Sequence, residues 1–412
     1  MAKKLPEPIF VGLDIGTTKV LVIVAEFNAT GQMKIIGLGH HRSKGMKKGV
    51  ISDIESTVES IQRAVEEASL MANCDISSAY VGIAGAHIHS INSHGVAAIK
   101  NGEVDALDVR HVLEAARAMA VPSDHSILHV LPQDFTIDGQ QGILDPIGMS
   151  GVRMEAGVHV VTGSSSAAQN IMKCIRRCGL EANALVLEQI ASSESVLSND
   201  EKDLGVCMVD IGGGTTDIAV YHDGFIKHTA VIPIAGDHVT NDIAMAFNTP
   251  KAVAEEIKKR FGNSLVQLVD KDQEIEIASI GGRPPKKLKR WALAEVIEPR
   301  VDELMVMIQS ELDRTGFLNL VGSGIVLTGG TSGLDGIVEL AEEIFHLPVR
   351  RGIPDYQGNL EQSIRNPIFS TGIGLIKYGY ARQNTKNLIL KEYTTEQKTK
   401  KSITGWVKSI FA

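Results

Sequence analysis

Aromatic side chains make up only 4% of the 412 residues, so Val, Ile, Leu and Ala must do most of the packing. With 43% apolar residues, the chain has material for two lobes with separate cores. Cysteine occurs four times, at 74, 174, 178 and 207, without ribbon or finger spacing. That spacing excludes a zinc scaffold of this kind, and a chain of this length needs no disulfide framework; a reducing cytoplasm is the expected home. No stretch reaches the roughly 18 apolar residues of a spanning helix. The opening M-A-K-K-L-P-E-P enters a strand with no apolar signal region, so neither secretion nor membrane spanning is expected. A net charge of -8 leaves no broad basic face, which argues against nucleic acid as the main partner. Neither G-x-x-x-x-G-K-[ST] nor G-x-G-x-x-G occurs, so P-loop and Rossmann readings lose support.

What is present is a strand, a glycine turn and a second strand at Val209 to Val220, V-D-I-G-G-G-T-T-D-I-A-V. Gly212, Gly213 and Gly214 lack a Cβ, so an anion can sit against their amides, and Thr215 and Thr216 add hydroxyl donors. Asp210 beside such a cradle would repel phosphate unless a divalent cation lies between, and Mg²⁺ takes hard oxygens and retained waters. Val11 to Val24 repeats the order, with Asp14, Gly16, Thr17, Thr18 and Lys19. Two such hairpins predict two lobes closing on a phosphate chain, with Thr17 and Thr18 facing Thr215 and Thr216. A third turn, Ile325 to Ile337, passes through Gly329 and Gly330 into a helix expected to begin near Ser332 and Gly333, suited to the sugar or α-phosphate end of a nucleotide.

These three segments resemble the phosphate 1, phosphate 2 and adenosine motifs of the actin, sugar-kinase and heat-shock-chaperone superfamily. L-D-P-I-G-M-S-G-V-R-M (144 to 154), G-G-R-P-P (281 to 285), L-A-E-V-I-E-P-R (293 to 300) and the tail resemble one branch more closely, the bacterial cell-division family FtsA. The resemblance implies an α/β, actin-like two-lobed fold with mixed sheets and a cleft for ATP, with Mg held through water by Asp14 and Asp210. On superfamily likeness, Leu185 to Leu197 is the first connecting helix. Glu188 falls where relatives orient the attacking water; a plain helix N-terminal acid is the other reading, and Gln189 could serve the same polar role. Gly236 lies in a turn leading to the next helix, and Glu256 and Lys259, one helical turn apart, match a pair that brackets adenine and ribose in relatives. A solvated ion pair is the alternative there.

The expected organisation is a first-lobe core from 1-85 and 163-197, and a small inserted subdomain at 86-162. A second-lobe core follows from 198-235 and 300-363, with an outer subdomain at 236-299 and a second connecting helix at 364-383. In that helix Gly372 and Gly374 would allow close crossing at the hinge. The family resemblance gives the insert contacts with other protomers or division proteins. It gives the outer subdomain the acidic C-terminal peptide of FtsZ, with Arg283, Lys286, Lys287, Lys289 and Arg290 in a basic loop as candidate contacts.

Residues 384-401 read as a mobile linker. In 402-412, Ile403, Trp406, Val407, Ile410 and Phe411 recur at helical spacing as one stripe, opposite Ser402, Thr404, Lys408 and Ser409. Too short to cross the ~30 Å hydrocarbon core, this segment is expected to lie on an anionic membrane surface, helped by Lys398, Lys400 and Lys401. Docking on the protein's own surface is the alternative. The preferred reading is an ATP-binding homopolymer on the cytoplasmic side of the inner membrane at the division site, tethering FtsZ and recruiting later division proteins, with at most slow ATPase activity. A sugar kinase and an actin-like pilus-assembly protein are the competing readings.

Overall fold

The computed structural model describes residues 8–279 and 284–396 and builds both lobes on one plan. In the first lobe β1 (Ile9–Ile15), β2 (Lys19–Phe27) and β3 (Met33–Arg42) form an antiparallel meander. Helix α1 (Ile54–Ala72) then crosses to β4 (Ser78–Ile83), parallel to β1. Asp53 is the N-cap of α1, because its carboxylate accepts from the Glu55 and Ser56 amides. The insert follows as β5 (His89–Ala98), α2 (Ala106–Arg117), β6 (His125–Ile137), β7 (Gln140–Ile143) and β8 (Arg153–Ser164). Its four strands form an antiparallel sheet ordered β5-β8-β6-β7, covered by α2.

The chain re-enters the first lobe through α3 (Ser165–Arg177), N-capped by the Ser164 hydroxyl, and β9 (Glu181–Leu187). The first-lobe sheet is therefore ordered β9-β4-β1-β2-β3. Helix α4 (Glu188–Val196) leads to the second lobe. The expected helix from Leu185 is shorter at its start, since Leu185, Val186 and Leu187 pair with β4 and complete the sheet.

In the second lobe β10 (Val206–Ile211), β11 (Thr216–His222) and β12 (Phe225–Ile232) repeat the meander. Next come α5 (Gly236–Phe247), α6 (Lys251–Phe261), the hairpin of β13 (Glu274–Ile277) and β14 (Lys286–Lys289), and α7 (Arg290–Thr315). β15 (Ile325–Thr328), α8 (Ile337–Phe345) and β16 (Val349–Arg351) close the sheet as β16-β15-β10-β11-β12, the same order as in the first lobe. Helix α9 (Ser370–Glu396) returns to the hinge. It extends past Asn384 into the segment expected to be a linker, where Leu388, Leu390, Lys391 and Glu392 are good helix formers.

The expected separate core is present in the second lobe, where Ile218, Val239, Leu293 and Ile337 share one buried cluster, but the lobes are also joined by another. This joining cluster runs from Leu13, Val22 and Val81 of the first sheet through Ile190 of α4 to Met208, Ala219 and Val326 of the second. The aromatic residues are concentrated at the base of α9: the rings of Phe27 and Tyr380 stack at 3.7 Å, and Phe10 meets both edge-on.

Candidate functional site

The two acidic turns have the same closure. Gly16 N donates to Lys19 O at 2.9 Å, and Gly212 N donates to Thr215 O at 3.0 Å. They meet at the floor of the cleft, but with different partners than expected. A Cβ on Gly213 would lie 2.3 Å from Thr18 Cγ2, and one on Gly214 would lie 2.4 Å from Thr17 Oγ1. The first-lobe threonines thus press on the glycines, not on Thr215 and Thr216, whose hydroxyls donate inward to Asp217 Oδ2 (2.9 Å) and Ile234 O (2.7 Å). The two turns are thus in contact across the floor of the cleft.

Behind the turns lies a buried acidic cluster. Asp14 is 2% exposed and ion-paired with Lys19; Asp210 is 8% exposed and accepts from Ser192 of α4 and Thr371 of α9. Glu188 packs on Gly82 of β4 at the first position of α4, which accommodates both of its expected readings. Burial, then Asp14, Asp217 and Asp210, hold its carboxyl well above the usual range. Asp217 is pushed up to about 8 by burial and then by Asp210. Sequence reading passed over Asp217, although it is the second acid of D-I-G-G-G-T-T-D. Asp217 Oδ1 and both amide atoms of Gln189 are buried without a protein partner. Among the described residues no three His, Cys, Asp or Glu side chains are placed to ligate a metal directly. Like-charged buried carboxyls with open acceptors fit a divalent cation that keeps its own waters.

The third turn closes the second-lobe side. Gly329 adopts φ +82°, and a Cβ there would stand 2.2 Å from Asp210 Oδ1, so glycine is required. Thr331 Oγ1 donates to Gly212 O at 2.8 Å, and the Asp237 amide donates to Gly213 O at 2.8 Å. Ser332 donates inward to Gly329 O at 2.8 Å, whereas Gly330 and Gly333 face open space. The residues from Gly330 to Gly333 form a 3-10 turn, so the α-helix begins later than expected, at Ile337.

Gly236 starts α5 rather than standing in a free turn, and Lys258 Nζ donates to its carbonyl at 3.0 Å. The inward pair on α6 is accordingly Glu255 and Lys258. Glu256 and Lys259 point outward, with side chains 64% and 69% exposed, because the buried stripe of Ala254 and Ile257 sets the helix phase one residue away.

The basic segment is also revised. Lys286 to Lys289 form a strand paired with β13, not a loop. Lys287 and Lys289 lie 3.7 and 3.6 Å from Glu274, Arg290 is paired with Asp335 at 3.3 Å, and Lys286 is exposed. Arg283 lies outside the described residues, as do Ile403, Trp406, Val407, Ile410 and Phe411.

One sheet plan repeated on both sides of a cleft, with an acidic turn from each side meeting at its floor, defines a protein of the actin-like class. Solved structures share the fold. A "PilM-PilN type IV pilus biogenesis complex" superposes with a TM-score of 0.66 at 16% identity, over 91% of this chain and 99% of that one. MreB5 of Spiroplasma citri bound to ADP gives 0.55 at 18% identity, over 92% and 98%. Sequence identifies the particular branch: the chain belongs to the cell division protein FtsA family. That family's model matches residues 207–374, and the model of the SHS2 domain inserted in FtsA matches 85–162. The "Cell division protein FtsA" of Pseudomonas aeruginosa is 59% identical over 91% of this chain and 90% of its own length.

Proposed function

We propose that this member of the FtsA family binds MgATP in its cleft, polymerises on the cytoplasmic face of the inner membrane, and tethers FtsZ there while helping to recruit later division proteins. The observation that carries the nucleotide reading is the contact of Thr17 and Thr18 with Gly214 and Gly213, in front of buried Asp14 and Asp210.

Bound MgATP would supply a phosphoanhydride whose charge the cation partly neutralises. Asp14 and Asp210 would accept from the cation's waters, and the amides of Gly213 and Gly214, in turns closed by the Gly16 and Gly212 amides, would hold phosphate oxygens. The open faces of Gly330 and Gly333 leave room for the nucleoside end, with Glu255 and Lys258 beside it. Glu188, buried at the start of α4 with its carboxyl held well above the usual range by burial and the neighbouring acids, would orient the attacking water. The tail residues would anchor weakly one at a time. Assembly makes later contacts intramolecular, with avidity gains of about 10² or more.

Liposome sedimentation with ATP, with and without residues 402–412, together with MgATP calorimetry, tests this reading. Nucleotide uptake and tail-dependent cosedimentation are expected. Absence of uptake by the intact chain overturns the cleft assignment, and equal cosedimentation without the tail overturns the anchor.

A further inference from the structure

The insert is covalently joined to the first lobe at both its ends, yet its sheet is hydrogen-bonded to the second. Ser90 Oγ donates to Thr229 O at 2.9 Å, Asn92 Nδ2 to Lys227 O at 3.3 Å, and Gln133 Nε2 to Ile226 O at 2.8 Å. All three acceptors lie on β12, at the outer side of the second-lobe sheet. At the centre is His159, 1% exposed, with Nδ1 at 2.7 Å from Asn92 Oδ1 and Nε2 at 2.9 Å from Thr229 Oγ1. Asn92 uses its NH₂ on Lys227 O, so its oxygen faces the ring. An amide oxygen only accepts, hence Nδ1 carries the proton and Nε2 accepts from the Thr229 hydroxyl. Elsewhere on the same sheet, buried His129 accepts from Leu187 N at 3.0 Å, the amide immediately before Glu188.

These contacts bypass the hinge. Lobes that pivot on α4 and α9 cannot separate without breaking, sliding or carrying along a third connection that grips both. The path from cleft to latch is short. Thr216 leaves the phosphate 2 turn on β11, and on that strand Ala219 stands opposite Thr229 in the antiparallel ladder. Hydrogen bonds suit a two-position device better than apolar packing does, because they are lost over a few tenths of an ångström and leave buried polar groups unpaired.

We infer that the insert is a strut between the lobes, latched to the second lobe by His159 and Thr229 and bearing on the Glu188 segment through the positioning residue His129, so that opening the cleft and releasing the insert are one event. The strut rests on the proposed nucleotide cleft.

Hydrogen exchange on the full chain, with and without MgATP, tests it. In the wild type, MgATP is expected to slow exchange at the turns around 212–216 and also in insert strands 89–98 and 153–164. Thr229→Val, nearly isosteric but without the hydroxyl, and Asn92→Ala, at an exposed position, should keep the protection at the turns, lose the response of the insert, and release nucleotide several-fold faster. Thr229→Ser should behave as wild type. Turn protection without any insert response in the wild type, or an unchanged insert response in both cut variants, overturns the strut and leaves the cleft standing. Absence of protection anywhere in the wild type removes both.

Discussion

The Ser192 hydroxyl donates to Asp210 Oδ2 at 2.5 Å, tying the first connecting helix to the acid of the second-lobe turn. Thr371 of the second connecting helix reaches the same oxygen at 3.3 Å. Both connecting helices therefore donate to one carboxylate oxygen of Asp210.

Ser192→Ala removes the shorter of these bonds from a buried carboxyl that burial already pushes upward. A loss of about 1–3 kcal/mol in urea unfolding is expected, with weaker MgATP binding. Unchanged stability together with unchanged affinity would show that the bond does not organise Asp210.

Glycines in and near the hinge separate packing from binding. A Cβ at Gly374 would lie 1.7 Å from Ala191 O, whereas one at Gly330 would meet no atom within 4 Å. Gly374→Ala should cost about 1–3 kcal/mol or more by forcing α4 and α9 apart. Gly330→Ala should leave the melting temperature in place and lower nucleotide affinity, as read by calorimetry.

On α6, Lys258→Met should weaken MgATP binding roughly tenfold, equivalent to about 1.4 kcal/mol. Glu256→Ala, on the solvent face, should leave binding unchanged. The reverse ranking would restore the outward pair as the nucleotide contact.

Two buried histidines give the chain an acid sensitivity. Burial pushes His129 down to about 4 and His159 down to about 3, below their ordinary 6.5. The unfolded chain takes up these protons first, so their stabilising contribution is present above pH 6.5 and is lost as pH falls towards 4. Asp217, raised to about 8, slopes the other way across the same range, since its contribution is lost as pH rises from about 4 to 8. The signature is therefore a difference: stability of the wild type minus that of His159→Gln, measured by urea unfolding, should shrink as pH falls from 6.5 to 4. A difference independent of pH would place the titration elsewhere.

Glu274 screens Lys287 and Lys289. If this strand takes the acidic FtsZ peptide, Glu274→Ala should tighten peptide binding modestly, since exposed pairs are worth under about 1 kcal/mol. Lys286→Ala should weaken it. Fluorescence anisotropy with the peptide decides; insensitivity to both changes places the peptide on another surface.

Much of the fold was legible because the D-I-G turn occurs twice, each time with flanking strands that read as strands on their own. The phase of α6 was not. The doublets Glu255-Glu256 and Lys258-Lys259 satisfy the same spacing in either phase, and only the packing of Ala254 and Ile257 chooses between them. The basic segment read as a loop because Pro284 and Pro285 precede it, and its pairing with β13 is a tertiary fact. The His159, Asn92 and Thr229 latch joins positions far apart in the chain and leaves no local pattern. Asp217 is the second acid of its motif, and only the pairing of β10 with β11 sets it opposite Asp210.

Phe10, Phe27 and Tyr380 give the last helix its footing. With those rings interlocked, tension applied along α9 from its far end is delivered into the meander of the first lobe. Ser370 and Thr371, at the start of the same helix, bond Thr328 and Asp210, so a share of that load also reaches the second-lobe sheet.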